Sequence, residues 1–414
     1  MSDTLHIFTC SAVNYLPKVR VLCQSIRKFH PEATVHWVLA DTLPDWLDLT
    51  NEPFDSVLPI DRLDIPNWRG WSFTHDIVEL STAIKPFALR YLLDQPGCAK
   101  VLYFDPDMVL FSRVDDILDM LSHANVALTP HQTKPEQTLD AIRDNEMASM
   151  KHGIFNLGFI GVSNTEEGRR VAQWWSHRTY HFCRAEVENG LFTDQKWLDF
   201  APAFFDGVSI VKSSRHNVAT WNLTTRHLTG DAETGFKVDG EPLGFYHFTG
   251  FDSGAHRIMM EKNATASPAT RDLVKWYEAI TAVPKSDPIS AWPWAFGRFS
   301  DGTLIQRCHR WLYREHADLQ AAFPDPFAAD VGHPTFLAWC HTEGKLHFPQ
   351  FFSEAGDCNL RPAATSAAVI VGRTAFLRLA WLAMRPVRGR PIRSKIRQVL
   401  SGEGVRGLLR RLPF

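Results

Sequence analysis

A chain of 414 residues, 45% hydrophobic and 22% charged with a net charge of −2, holds ample apolar material for a sizeable core and lacks the positive surplus of a nucleic-acid binder. Its seven cysteines (Cys10, Cys23, Cys98, Cys183, Cys308, Cys340, Cys358) are scattered, odd in number and free of any C-x-x-C pair, which fits reduced thiols and argues against a disulfide or zinc framework. The length suggests roughly two to three domains.

The opening Met1-Ser-Asp-Thr leads into a strand-like run, not a charged n-region and apolar core, so no signal peptide is expected. Leu5–Thr9 reads as the first strand. Apolar residues then recur at Leu16, Val19, Leu22, Cys23, Ile26 and Phe29, a helical period, and Pro31 ends it. Val35–Ala40 is a second strand, so the chain opens β-α-β, the signature of a parallel sheet with crossover helices. Val57–Ile60 is a third candidate, with Pro59 arguing for an edge. Residues 61–78 read as irregular. A helix is expected from about Lys85 to Leu93, with Pro86 in its first turn.

Val101–Phe111 is an apolar run, two carboxylates separated by Pro106, then a second apolar run. A lone buried carboxylate is costly, so two at the end of a strand suit either a hard divalent cation or an acidic turn. Val126–Thr129 and Ile154–Val162 are strands, and 131–152 is polar and either loop or helix. Glu166–His181 reads as a helix, and Phe192–Phe200 as the start of another. Val208–Val211 and Phe245–Phe248 are short strands. The latter carries His247, either a core histidine or a third metal ligand.

Asn263–Pro268 reads as a linker, residues 271–281 as a helix, 284–302 as irregular, and Thr303–Ala322 as one continuous helix before the turn Phe323–Phe327. Residues 366–384 are apolar but interrupted by Arg373 and Arg378, a poor membrane span. From Met384 to Phe414 nine Lys/Arg stand against the single acid Glu403, with Ile392, Ile396, Val399, Leu400, Leu408, Leu409 and Leu412 interspersed. That pattern fits an amphipathic helix on an anionic membrane surface, or a solvated basic tail.

In order along the chain stand a first strand, Asn14-Tyr15 at a helix start, Lys85, Asp105-Pro-Asp107, Asn156-Leu-Gly158, Asp194-Gln195 and His247-Phe-Thr-Gly250. Over roughly residues 5–250 this ordered set resembles the retaining glycosyltransferases of family 8 on the GT-A fold, the group of glycogenin and the bacterial lipopolysaccharide galactosyltransferases, in a divergent bacterial branch. The resemblance implies an α/β fold, a Rossmann-like mixed sheet flanked by helices, with a mainly helical C-terminal region. The expected divisions are 1–262 for the transferase domain, 263–360 for the helical region and 361–414 for the basic tail.

Carried over position by position, the resemblance implies that Asp105, Asp107 and His247 hold Mn²⁺ or Mg²⁺. Lys85 would reach the phosphates or donor sugar. Asn14 and Tyr15 would lie beside the nucleotide base. Asn156 and Gly158 would line the donor sugar, Gly250 would close the last motif, and Asp194 and Gln195 would sit near the anomeric carbon. Where the family often has an Asp three residues before the Tyr, this chain has Ala12, and Ser11 or a backbone group would take its part. Where the family commonly has a Lys-Pro-Trp run after the last glycine, this chain has Phe251-Asp-Ser-Gly254, leaving His256, Arg257 or Lys85 alone to supply the charge.

The implied activity is metal-dependent transfer, with retention, of a hexose from a nucleotide-diphosphate sugar, a UDP-sugar first, to a glycan or lipid-linked acceptor in surface polysaccharide assembly. The expected location is the cytoplasm, peripherally on the inner face of the cell membrane. Two alternatives stand beside it. A sugar nucleotidyltransferase is disfavoured because Cys10–Asn14 contains no glycine. A catalytically silent carbohydrate-binding protein is disfavoured by the intact Asp105, Asp107 and His247.

Overall fold

The computed structural model describes residues 4–264, 267–284, 286–330 and 334–352; the basic tail lies outside them. The chain packs as two compact units that divide between Leu304 and Ile305.

In the first unit the β-α-β opening is β1 (Thr4–Ser11), α1 (Leu16–Phe29) and β2 (Thr34–Leu39), followed by β3 (Ser56–Pro59). Helix α1 forms because Leu16, Val19, Leu22, Cys23 and Ile26 make one stripe, and all five are buried. Three helices follow: α2 (Trp68–Phe73), α3 (Ile77–Ala83) and α4 (Lys85–Leu93). Then come β4 (Cys98–Phe104), β5 (Met108–Leu110), α5 (Asp115–Met120), β6 (Val126–Pro130) and β7 (Phe155–Ser163). Short strands complete the unit: β8 (Arg184–Glu186), β9 (Leu191–Thr193), β10 (Val208–Ile210), β11 (Leu228–Thr229), β12 (Lys237–Val238), β13 (Glu241–Pro242) and β14 (Phe245–His247).

Seven strands form the central sheet in the order β10-β6-β7-β4-β1-β2-β3. Strand β1 is parallel to both β2 and β4, while β7 is antiparallel to β4 and β6. This is the mixed α/β sheet expected from the sequence. Strand β3 is the edge, where Pro59 removes no needed ladder donor. Because β2 and β4 flank β1 on opposite sides, the connections leaving β1 and arriving at β4 diverge. Such a switch point opens a crevice at the carboxyl ends of the strands. The loop after β1 and the acid pair after β4 both begin there.

A second pairing brings a distant segment to that crevice. Strands β5 and β14 run antiparallel with His247 opposite Met108. Phe104, Phe159 and Phe245 pack with ring centroids 5.1–5.2 Å apart, fixing β14 against β4 and β7.

Four local expectations are corrected. Residues 61–78 hold helix α2, in which Trp71 and Phe73 are buried. Phe192–Phe200 does not begin an α-helix: Leu191–Thr193 pairs with Arg184–Glu186 as a hairpin, and Lys196–Phe200 is a 3₁₀ turn. The helix Ala255–Ala264 runs into the expected linker, and the next helix starts at Pro268. In the second unit, Thr303–Ala322 is two helices, Arg307–Glu315 and Ala317–Ala322, separated at His316, whose backbone is extended. The polar stretch 131–152 resolves into helical turns with a π-helical segment at Ile142–Glu146. The six cysteines among the described residues are buried free thiols. No helix among the described residues is long and apolar enough to cross a membrane.

Candidate metal centre

Asp105 leaves the end of β4, and the backbone turns back at once, with the Met108 N–H donating to the Asp105 carbonyl at 2.9 Å. The Asp105 N–H donates to the Gly158 carbonyl at 2.8 Å, holding the turn against β7. The Phe248 N–H donates to the Asp107 carbonyl at 2.9 Å, bringing in the end of β14. As a result, ligand atoms of Asp105, Asp107 and His247 all lie within 4.8 Å of one another. His247 Nε2 stands 3.1 Å from Asp107 Oδ1 and 3.8 Å from Asp105 Oδ2.

The protonation of His247 can be traced from the backbone. The Leu157 N–H donates to Gln195 Oε1 at 2.9 Å, and Gln195 Nε2 donates to the His152 carbonyl at 3.1 Å. Those two contacts fix which way the Gln195 amide points. Asn156 Nδ2 then donates to Gln195 Oε1 at 3.3 Å, so Asn156 Oδ1 faces His247 Nδ1 at 3.1 Å and must accept from it. Consequently Nδ1 carries the proton and the Nε2 lone pair faces the two carboxylates. A lone pair facing carboxylate oxygens needs a proton or a cation between them. Burial alone would lower His247, but Asp107 raises it above its usual value. Conversely, burial would raise Asp107, but His247 holds it below the usual carboxylate range. Two carboxylates and one imidazole are a donor set suited to a divalent ion such as Mn²⁺.

His131 extends the same network. Its Nδ1 faces the Ile154 carbonyl at 3.3 Å, and its Nε2 stands 3.4 Å from Asn156 Nδ2. Burial pushes His131 down to about 4, so the ring is neutral at pH 7 and accepts from Asn156. A Cβ on Gly158 would meet Met108 Cε, His247 Cε1 at 2.7 Å and Asn156 Oδ1 at 2.9 Å, so only glycine fits. Because Asn156 sets the tautomer of His247, Asn156→Leu is expected to weaken Mn²⁺ binding by roughly 10–100-fold, read by calorimetry with Mn²⁺ alone.

Lys85 starts α4 and is buried, which is unfavourable twice over: a cation without water, at the positive end of a helix. Its Nζ lies 3.1 Å from Asp105 Oδ1, 3.3 Å from Asp194 Oδ2 and 3.0 Å from the Leu157 carbonyl. Burial would lower this ammonium, but Asp105 and Asp194 outweigh it and hold the group above the ordinary lysine value. Tyr103 adds a hydroxyl donated to Asp105 Oδ1, and its ring lies under Lys85 at 4.5 Å. Asp194 caps no helix; its carboxylate faces Lys85 and accepts from the Thr193 hydroxyl at 3.2 Å.

On the other side of the centre, the Tyr15 hydroxyl donates to Asp252 Oδ2 at 2.5 Å. Lys18 pairs with that same oxygen at 2.5 Å and lies over the Tyr15 ring at 4.4 Å. Asn14 Oδ1 is buried and has no hydrogen-bond partner among the described residues. Gly250 adopts φ +68°, which suits glycine, and opens the turn that carries Asp252.

Among the residues singled out from sequence, Asp105, Asp107, His247, Asn156, Gly158, Lys85, Asp194 and Gln195 thus form one connected cluster. Asn14, Tyr15 and Gly250 belong to its flank. Ser11 is tied to the core, its buried hydroxyl accepting from Trp37 Nε1 at 2.8 Å. His256 is buried against the Tyr246 hydroxyl at 3.2 Å and pushed down to about 4 by burial, so it carries no charge at pH 7. Arg257 is exposed on the same helix. Sequence reasoning missed Lys18, His131 and Asp41. The last is a buried carboxylate that accepts from the Val13 N–H at 3.1 Å and so holds the loop bearing Asn14 and Tyr15. Lys18 carried a faint signal, one turn after Tyr15; the other two carried none.

No protein-family model matches the chain. It is 30% identical over 318 residues to "Uncharacterized protein YfnD" of Bacillus subtilis (strain 168), spanning 73% of this chain and 95% of that protein. It is 25% identical over 181 residues to "Uncharacterized protein YfnF" of the same strain, spanning 43% of this chain and 58% of that protein. Among solved structures it is similar to the galactosyltransferase LgtC in complex with donor and acceptor sugar analogs, at 17% identity and a TM-score of 0.41, covering 68% of this chain and 98% of that one.

Proposed function

The chain belongs to the protein family of YfnD from Bacillus subtilis (strain 168), and we propose that its site is that of a metal-dependent glycosyltransferase acting on a nucleotide-diphosphate sugar. One observation carries the reading: Asp105, Asp107 and His247 converge at the crevice after β1 and β4, with a buried Lys85 beside them. A divalent cation held by these three would act as a Lewis acid toward a departing diphosphate. Lys85 adds a fixed positive charge in a water-poor place, where it counts for more than in water. The buried Asn14 oxygen, without a partner among the described residues, supports a role for Asn14 and the neighbouring Tyr15 ring beside the nucleotide base. Gln195 and Asn156 hold His247 in the ligating tautomer, and Asp194 holds Lys85 in place.

The ordered motifs shared with family 8 support transfer with retention, with Asp194 and Gln195 nearest the reacting carbon. They also support a UDP-sugar donor, Mn²⁺ and a glycan or lipid-linked acceptor. The basic segment after Met384 supports an acceptor at the inner face of an anionic membrane. The test is release of nucleoside diphosphate from UDP-, GDP- and dTDP-sugars with Mn²⁺, with Mg²⁺ and with EDTA. Metal-dependent release from at least one donor is the expected result. If no nucleotide sugar is hydrolysed or bound under any of these conditions, the proposal fails.

A further inference from the structure

We propose that Lys18 is a diphosphate-binding residue of this site and that Asp252 occupies its ammonium until the anion arrives. The inference rests on the donor class proposed above.

Lys85 is the first cation one would assign to a diphosphate, yet its ammonium is already held between two carboxylates and a carbonyl. An ammonium has three donors, and Lys85 faces three acceptors: Asp105 Oδ1, Asp194 Oδ2 and the Leu157 carbonyl. Both its carboxylate partners are tied to the site, and Asp194 is buried. Lys85 therefore serves as a fixed charge. A phosphate oxygen needs a donor from elsewhere.

Lys18 has that freedom. Its Nζ contacts one carboxylate oxygen, Asp252 Oδ2 at 2.5 Å, and the Tyr15 hydroxyl at 3.4 Å. The lysine side chain is 11% exposed, whereas that of Asp252 is 56% exposed. Asp252 stands in a turn between Gly250 at φ +68° and Gly254 at φ +78°, and its carboxylate can return to water. With the carboxylate partner facing solvent, a phosphate oxygen can take its place on Lys18 while Asp252 is solvated by water. The lysine stays on the rim of the metal centre, where its charge acts on Asp107.

Charge balance points the same way. With a divalent ion in place, Asp105, Asp107 and Asp194 are balanced by that ion and Lys85. An arriving diphosphate is then uncompensated, and grows more so as the sugar leaves. Lys18 supplies the missing charge only if it gives up Asp252. Because the Tyr15 hydroxyl donates to the same Asp252 oxygen, one exchange would release both the cation and the aromatic ring toward the nucleotide.

The test is calorimetry on the full chain with saturating Mn²⁺. The probes are UDP, uridine as the phosphate-free control and inorganic pyrophosphate as the base-free one. Lys18→Met is expected to weaken UDP and pyrophosphate by roughly 10–100-fold, the worth of a hydrogen bond to a charged group, and to weaken uridine far less. Asp252→Asn is expected to tighten UDP by roughly 2–5-fold. The double variant should bind like Lys18→Met, because Asp252 acts through Lys18. Lys18→Arg, which keeps the charge, should retain most of the affinity and so exclude a folding defect. Unchanged UDP and pyrophosphate binding in Lys18→Met overturns the proposal, as does equal weakening of UDP and uridine. If wild type binds neither UDP nor pyrophosphate, the donor reading itself has failed and this inference falls with it. If wild type binds them and Lys18→Met does too, only this inference fails.

Discussion

Asp107→Asn is expected to cut the proposed metal-dependent turnover of a nucleotide sugar by about 10²–10³-fold with little change in thermal stability, since Lewis-acid stabilisation is worth several kcal/mol. Of the two acids, Asp107 is the cleaner probe. Asp105 is also bound to Lys85 and Tyr103, so replacing it disturbs a buried ion pair as well as a ligand. Among the described residues, Asp107 faces His247 as its ion-pair partner, and its backbone carbonyl, which holds Phe248, survives the substitution. Asparagine keeps the shape but loses the charge, and a neutral oxygen is a weaker ligand for a hard cation. Part of the lost activity should return as Mn²⁺ is raised. The measurements are initial rates across a Mn²⁺ titration and a melting curve. Wild-type rates at limiting Mn²⁺ would remove Asp107 from the metal centre.

The parts of this arrangement that were readable in the sequence are those written in short windows. The helical stripe of α1, the largely apolar run of β2 and the Asp-Pro-Asp interruption of an apolar run each show within about a dozen residues. What joins them is not local. His247 meets Asp107 only because β14 pairs with β5, a register that no pattern around residue 245 announces. Motif order placed His247 beside the acids by resemblance, without supplying the reason. Phe192–Phe200 misled because Thr-Asp-Gln is good helix-start chemistry. Here the Asp194 carboxylate is used on Lys85, and Thr193 sits at φ +47°, a kink that ends the hairpin strand. Lys18 went unnoticed because a lysine in the first turn of an amphipathic helix is ordinarily a solvated one. Its meaning comes from a turn more than two hundred residues later, where the Asp252 carboxylate meets its ammonium.

The second large effect is one of stability. Lys85→Met is expected to destabilise the protein by about 3–5 kcal/mol, the cost of leaving a buried carboxylate without its partner. Asp194 is 1% exposed, and burial already raises its carboxyl above the usual range despite Lys85. Removing the ammonium takes away the main influence that lowers it, so in the variant Asp194 rises further. The folded variant then holds a proton that the unfolded chain has released, and its stability falls as pH rises from the ordinary carboxylate value, about 4, through the raised one. Lys85 itself imposes no such slope on the wild type. Its folded value is raised, so its contribution is fully present below about 10.4 and is lost only at higher pH. Urea melts of both proteins at pH 5 and pH 8 should show a gap that widens at pH 8. A gap of the same size at both values would mean that Asp194 finds another partner when Lys85 is gone. Lys85→Arg is not expected to restore the wild-type values, because three acceptors converge on a single nitrogen in a closed space, and a planar fork cannot place its donors there.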